Sequence, residues 1–314
     1  MTRKEGVVLE GTGGIWRVRT TSGEDHEASL RGRLKIETDE NPKLAVGDRV
    51  VVEIDARGSH WAIDEILPRH SQLARRAPGG GQGERIVAAN VDQVVIVFAA
   101  TKPEPHRRML DRFLVIAEAN SLESRVVINK IELVEREKTE QHFSDYVRAG
   151  YTVHFTSVKQ RIGLDELHRD LEARTSVLTG PSGVGKSSLM NAMYPGLDLR
   201  VGEVSESVNK GRHTTVGALL HPLPDSGYVV DTPGLREIAT WGLSSEHLDE
   251  CFREFREFIR ECRFGNCTHR VEPGCAVRAG VASGLLSAER YDSYLRLREE
   301  IELEEKRSAR DRRR

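Results

Sequence analysis

Three short stretches of this chain carry residues suited to holding a nucleotide. In Gly180-Pro181-Ser182-Gly183-Val184-Gly185-Lys186-Ser187, followed by Ser188, the glycines let backbone N–H groups curl around phosphate oxygens, and the helix that follows adds its positive dipole end. In such a loop Lys186 reaches the β- and γ-phosphates and Ser187 holds Mg2+ through its hydroxyl. Asp231-Thr232-Pro233-Gly234 follows an apolar run, with Asp231 placed as a metal-supporting carboxylate and Gly234 able to offer its N–H to the γ-phosphate. Between these lies Gly211-Arg212-His213-Thr214-Thr215, a candidate switch in which Thr214 or Thr215 coordinates Mg2+ while the γ-phosphate is present.

The third stretch, Asn129-Lys130-Ile131-Glu132, reads as a guanine-recognition element. A carboxylate accepts both N–H donors of guanine's Watson–Crick edge, which adenine does not present, so such a site discriminates strongly. Glu132 stands where Asp is usual, Asn129 would bridge loops and contact the base, and Lys130 would lie along it. Phe155-Thr156-Ser157 follows the next strand and is placed to present a backbone N–H to the guanine carbonyl. This guanine element precedes the phosphate loop, whereas in an ordinary GTPase it comes last. The economical reading is a circularly permuted GTPase domain binding GTP or GDP with Mg2+.

The position after Gly234 is Leu235, where many small GTPases carry a water-orienting Gln. An apolar side chain cannot make that hydrogen bond, which predicts slow intrinsic turnover and reliance on a partner. His213 is the nearest polar assistant, with a solvent-facing or RNA-contacting role as the alternative.

A separate constellation is Cys262, Cys267, His269 and Cys275, spaced Cys-x4-Cys-x-His-x5-Cys among turn-forming residues. Four such ligands suit one tetrahedral Zn2+, structural because protein groups fill every position. Cys251 would substitute if His269 points away, and is otherwise a buried thiol on an apolar helix.

These groups need a scaffold. Val94-Val95-Ile96-Val97-Phe98, Val126-Val127-Ile128, Val177-Leu178 and Tyr228-Val229-Val230 are apolar runs without alternation, as in parallel strands buried on both faces. Three of them run into a motif, which fits ligand binding at the carboxyl ends of an open α/β sheet. Leu110, Phe113, Leu114 and Ala117, and Leu164, Leu167 and Leu171, have helical spacing. Residues 1–68 read as a small β-barrel of the oligonucleotide-binding type, with Ile15-Trp16-Arg17-Val18-Arg19 alternating. Its Arg17, Arg19, Arg31, Arg33 and Lys35 either follow a nucleic-acid backbone or are the solvated outer faces of strands.

Residues 69–85, basic and containing Pro78-Gly79-Gly80-Gly81-Gln82-Gly83, read as a flexible linker, and 86–242 as the GTPase domain. Residues 243–314 form a helical zinc-binding domain, in which Leu248, Phe252, Phe255, Phe258 and Ile259 share one helical face and a second helix starts at Ser287. The basic end, Arg307 to Arg314, is expected to fray.

With 314 residues, 38% apolar and 31% charged, the chain has the composition of soluble multidomain proteins. A formal net charge of −2 confines any nucleic-acid surface to a local patch. The N-terminal apolar segment is too short for a signal peptide, and no apolar run approaches the ~20 residues that cross a bilayer. A cytoplasmic protein without a membrane partner is expected, whose four cysteines favour metal over disulfides.

Barrel, permuted GTPase with Gly-Pro-Ser-Gly-Val-Gly-Lys-Ser and Asp-Thr-Pro-Gly-Leu, and Cys-x4-Cys-x-His-x5-Cys tail together resemble the bacterial RsgA/YjeQ family of ribosome-dependent GTPases along nearly the whole chain. The resemblance implies a late assembly factor of the small ribosomal subunit, with hydrolysis stimulated by that subunit and its rRNA. It is read as a monomer in solution with no DNA partner. The alternatives are an RNA-binding module or chaperone in which guanine nucleotide is a structural ligand, and a phosphotransferase, for which no acceptor pocket is evident.

Overall fold

The computed structural model describes residues 3–35, 43–54, 60–76, 84–199, 218–231 and 243–311. Strands β1 (Arg3–Thr12), β2 (Ile15–Thr20), β3 (Asp25–Leu30), β4 (Arg49–Ile54) and β5 (Trp61–Ile66) close into a barrel in the order β1-β2-β3-β5-β4. Alternation puts Val8, Val18, Ala28, Val50, Val52 and Ile63 inside. Outside, Arg17 pairs with Glu10, Arg19 with Asp25, Arg31 with Glu53 and Asp64, and Arg33 with Asp64. Each of these arginines therefore has a carboxylate partner on the barrel surface, which favours the solvated-face reading of them.

The two described ends of the stretch 69–85 depart from the flexible joint expected of it. Arg69 forks onto the fully buried Asp48 at 2.6 and 2.7 Å, and β6 (Gln72–Arg76) pairs antiparallel with β7 (Glu84–Ala89). Gly47, at φ +88°, lets the barrel close on this hairpin: a Cβ there would lie 2.2 Å from the Ala89 carbonyl oxygen. Composition pointed to a linker because glycines and arginines dominate it, but a buried ion pair and a strand ladder tie down its two ends. The glycine run itself lies outside the described residues.

The central domain runs β8 (Gln93–Ala99), α1 (Arg107–Ala119), β9 (Glu123–Asn129), α2 (Arg136–His142), α3 (Ser144–Arg148), β10 (Thr152–Phe155), α4 (Leu164–Leu171), β11 (Thr175–Thr179), α5 (Lys186–Met193), β12 (Leu219–Pro222) and β13 (Tyr228–Asp231). The sheet order is β10-β9-β8-β11-β13-β12, parallel except for β12, which is antiparallel to β13. Successive residues of β8 point to opposite faces, and both faces are covered. Val94, Ile96 and Phe98 pack in the same core as Leu110, Phe113 and Leu114 of α1, while Val95 and Val97 join Leu164, Leu167 and Leu171 of α4 with Leu189 and Met190 of α5. Leu9 of β1 and Leu220 of β12 lie in one buried cluster, seating the barrel on the sheet edge.

The C-terminal module contains α6 (Arg256–Ile259), α7 (Ala276–Ala282) and α8 (Ala288–Asp311). The single helix expected across 248–259 is instead two 3-10 turns, Asp249–Cys251 and Arg253–Phe255, before α6. Phe252 breaks it in extended conformation (φ −100°, ψ 99°), and its ring stacks on Phe255 with centroids 5.1 Å apart, so packing overrides the helical period. Ser287 caps α8 through the Arg290 N–H, as its sequence position predicted. Arg307 to Asp311 belong to α8, and Arg312 to Arg314 lie outside the described residues.

Candidate functional site

The carboxyl ends of β8, β9, β10, β11 and β13 gather the motifs along one edge of the sheet. Strand β11 leads into the phosphate loop, where Gly180 has φ +132° and a Cβ would lie 2.0 Å from the Val97 carbonyl oxygen, so only glycine fits. Gly185, at φ +98°, caps α5 and passes so close to Asn129 that a Cβ would meet its Nδ2 at 2.5 Å. Lys186 Nζ donates to the carbonyls of Gly180 and Pro181, both at 2.8 Å, which holds it across the mouth of the loop. Ser187 and Ser188 are half-buried in the first turn of α5, while Ser182 and Gly183 are exposed.

The guanine element is tied directly to this loop. Asn129 is 2% exposed, its Nδ2 donates to the Val184 carbonyl at 2.9 Å, and its Oδ1 accepts from the Thr156 hydroxyl at 3.2 Å. Lys130, in left-handed conformation, donates to the carbonyls of Gly183 and Lys102, both at 2.6 Å. The Lys102 carbonyl, from the loop after β8, carried no sequence signal. Glu132 Oε2 is buried with no hydrogen-bond partner. An unpartnered buried carboxylate oxygen on the element that Asn129 and Lys130 tie to the glycine loop fits a ligand bearing N–H donors and phosphates.

The expected role of Thr156 and Ser157 needs correction. The Thr156 N–H donates to Ile128 O at 2.9 Å and that of Ser157 to Ile162 O at 3.0 Å, so neither is free for a base carbonyl. What Thr156 contributes is its hydroxyl on Asn129, and the Ser157 hydroxyl accepts from the Gln160 N–H. Asp231 ends β13, paired in register with Leu178 of β11, as expected of a strand-end residue. His213, Thr214, Thr215, Gly234 and Leu235 lie outside the described residues.

The thiol–imidazole cluster forms as its spacing predicts. One ligand atom each from Cys262, Cys267, His269 and Cys275 lies within 4.8 Å of every other. His269 Nδ1 is 3.7 Å from the Cys262 sulfur and 3.3 Å from that of Cys275, bracketing the separation of about 3.6 Å that tetrahedral Zn–S and Zn–N bonds require. Burial, together with the neighbouring Cys275, pushes the Cys267 thiol up to about 12, a penalty on thiolate formation that a divalent cation reverses. The residues thus fit the ion. Partial burial pushes the Glu272 carboxyl up, but the Thr268 hydroxyl, Glu272's own N–H and the N–H groups of Thr268 and Val271 outweigh it and hold it at about 2; with the Arg270 N–H, which it also accepts, these bonds fix the ligand loop. Cys251 stands apart: its thiol donates to His247 O at 3.5 Å, and burial pushes it up to about 12.

Comparison with known proteins bears on the whole chain. A family model described as RsgA GTPase matches residues 66–241. A protein of Gemmatimonas aurantiaca named small ribosomal subunit biogenesis GTPase RsgA is 58% identical over 301 residues, covering 96% of this chain and 98% of its own. One of the same name from Phocaeicola vulgatus is 38% identical over 303 residues, with 95% and 97% covered. The crystal structure of YjeQ from Thermotoga maritima matches with a TM-score of 0.78 at 34% identity, over 96% of this chain and 99% of that one. YloQ, described as a circularly permuted GTPase, matches with a TM-score of 0.74 at 32% identity, over 96% of each. Likeness of this extent, over a sheet that bears the guanine and phosphate elements in exchanged order, places the chain in the RsgA GTPase family.

Proposed function

We propose that this GTPase converts GTP to GDP and phosphate as a late maturation factor of the small ribosomal subunit, with turnover stimulated by that subunit and its rRNA. The observation that carries the reading is the Asn129–Val184 hydrogen bond, which ties the guanine element to the phosphate loop, with a buried, unpartnered oxygen on Glu132 three residues further along that element. The names of the relatives support the choice of partner.

In this reading Glu132 accepts the N–H groups of guanine, Lys130 lies along the base, and a backbone amide of the turn that follows β10 takes the base carbonyl. The N–H groups of residues 180–188 and Lys186 hold the phosphates, and Lys186 leaves its two carbonyl partners to reach them. Ser187, Thr214 or Thr215, and Asp231 hold Mg2+, which neutralises phosphate charge when bound. Gly234 offers its N–H to the γ-phosphate. Since Leu235 cannot orient water, His213 or a group of the subunit does so. One structural Zn2+ sits on Cys262, Cys267, His269 and Cys275. The working division is a barrel at 1–68, a joining segment at 69–85, the GTPase at 86–242 and the zinc module at 243–314. The protein acts as a cytoplasmic monomer without DNA; among the described residues no helix is long and apolar enough to cross a membrane.

The test is phosphate release from GTP with and without purified small subunits, alongside sedimentation with GDP or a non-hydrolysable GTP analogue. Stimulated turnover, abolished in Lys186→Ala, and nucleotide-dependent co-sedimentation are expected. Turnover indifferent to subunits would overturn the proposal and favour an RNA-binding role in which nucleotide is a structural ligand.

A further inference from the structure

His269 is fully buried and is engaged at both ends of its ring. Nδ1 faces the sulfurs of Cys262 and Cys275, while Nε2 lies 3.0 Å from Oδ2 of Asp249, a residue 20 positions earlier and outside the ligand loop. A carboxylate only accepts hydrogen bonds, so the proton of the neutral imidazole sits on Nε2 and the lone pair on Nδ1, toward the sulfurs. We infer that Asp249 is a positioning residue of the metal centre: it fixes the tautomer and rotation of His269 so that Nδ1 presents its lone pair to the cation. This rests on the reading of the cluster as a zinc site.

The rest of the surroundings agrees. Phe255 and Tyr294 flank the imidazole with centroids 6.5 and 5.9 Å away, and Tyr291 donates to the His269 carbonyl at 2.6 Å, leaving the ring little freedom except the choice that Asp249 settles. Asp249 opens the turn Asp249–Cys251, between the buried Leu248 and Phe252, and that turn packs against α1 of the GTPase core. Metal affinity is thereby linked to seating of this turn on α1: a displaced turn withdraws the carboxylate, and a loaded centre favours the seated turn.

The experiment uses the full-length chain and Zn2+, with affinity read by competition against a chromophoric chelator. Asp249→Ala is expected to bind Zn2+ 10–100-fold more weakly, the range typical of lost outer partners of metal-bound histidine. Asp249→Asn, whose amide oxygen still accepts the Nε2 proton, should recover most of that loss. Wild-type affinity in Asp249→Ala, within two-fold, would overturn the inference. A readout that needs no variant is 15N NMR of the histidine-labelled, zinc-loaded protein. It should show His269 coordinated through Nδ1 with a slowly exchanging Nε2 proton; coordination through Nε2, or a fast-exchanging proton, overturns the inference too. If the wild-type chain binds no zinc, the reading of the cluster fails first, and the two failures are distinguished.

Discussion

Arg290 of α8 donates from Nη1 to Asp111 of α1 at 2.6 Å, with each side chain only 2% exposed. Its Nε and Nη2 engage Glu254, and the rings of Tyr146 and Phe252 lie 5.0 and 5.2 Å from the guanidinium carbon. One desolvated cation therefore joins two carboxylates from opposite sides of the junction between zinc module and GTPase core. Arg290→Ala would strand both carboxylates, at a cost of about 3–5 kcal/mol. Arg290→Lys should fall between, since an ammonium cannot reproduce the planar fork. Denaturant titration reads this, and a loss under about 1 kcal/mol in Arg290→Ala would show that the trio contributes little.

Asn129→Ala removes the amide that reaches Val184 and the acceptor of the Thr156 hydroxyl. Two buried polar groups then lack partners, worth about 2–4 kcal/mol together. If that loss falls on the nucleotide-bound form, GDP affinity drops roughly 30- to 1,000-fold. Titration calorimetry checks this; unchanged affinity would mean that the two loops keep their positions without that bond.

The phosphate loop offers a graded pair of glycines. In Gly180→Ala the new methyl collides with the Val97 backbone, so β8 and β11 must separate and folding is expected to suffer by several kcal/mol. In Gly183→Ala the nearest atom is Pro103 Cδ at 3.9 Å, leaving only the left-handed φ of +77°, about 1–2 kcal/mol. Thermal unfolding of both variants should rank them in that order, and a Gly180→Ala protein as stable as Gly183→Ala would contradict the strand contact.

Asp145 accepts hydrogen bonds from Ser287 at 2.7 Å, from Arg107 at 2.9 Å and from Arg148, spanning the same junction as Arg290. Partial burial pushes its carboxyl up, but these donors outweigh that and hold it at about 2, below the ordinary 3.8. Because the folded value is depressed, its contribution is fully present above about pH 4 and is lost as pH falls toward 2. Asp145→Asn should therefore flatten that part of the stability profile by about 1–2 kcal/mol after solvent screening. Chemical denaturation at several pH values tests it, and parallel profiles for the two proteins would remove Asp145 from the acid response.

What the sequence made legible is local. The glycines of the phosphate loop, the unbroken apolar strand β8, the helical spacing of α1 and α4 and the four zinc-ligand candidates are each encoded within a few residues, and the structure forms each of these elements. The unforeseen features depend on distance along the chain. Arg290 and Asp111 are 179 positions apart, Asp249 and His269 20, and Arg69 finds Asp48 across 21. Periodicity correctly placed Leu248, Phe252 and Phe255 in a core but not in a helix, because the stacking of two rings set the backbone there. Likewise, which N–H groups of Thr156 and Ser157 are free depends on pairings with Ile128 and Ile162.

The sheet order also bears on synthesis of the protein. Gln93 at the start of β8 pairs in register with Ser176 of β11, 83 residues later, while β9 and β10 on the other side are made in between. At a translation rate of about 5–20 residues per second, the open edge of β8 waits roughly 4–17 s for its neighbour. During that interval the nascent chain carries the guanine-reading half without its phosphate-holding half, with one apolar strand edge uncovered, and is a ready client for chaperones at the tunnel exit.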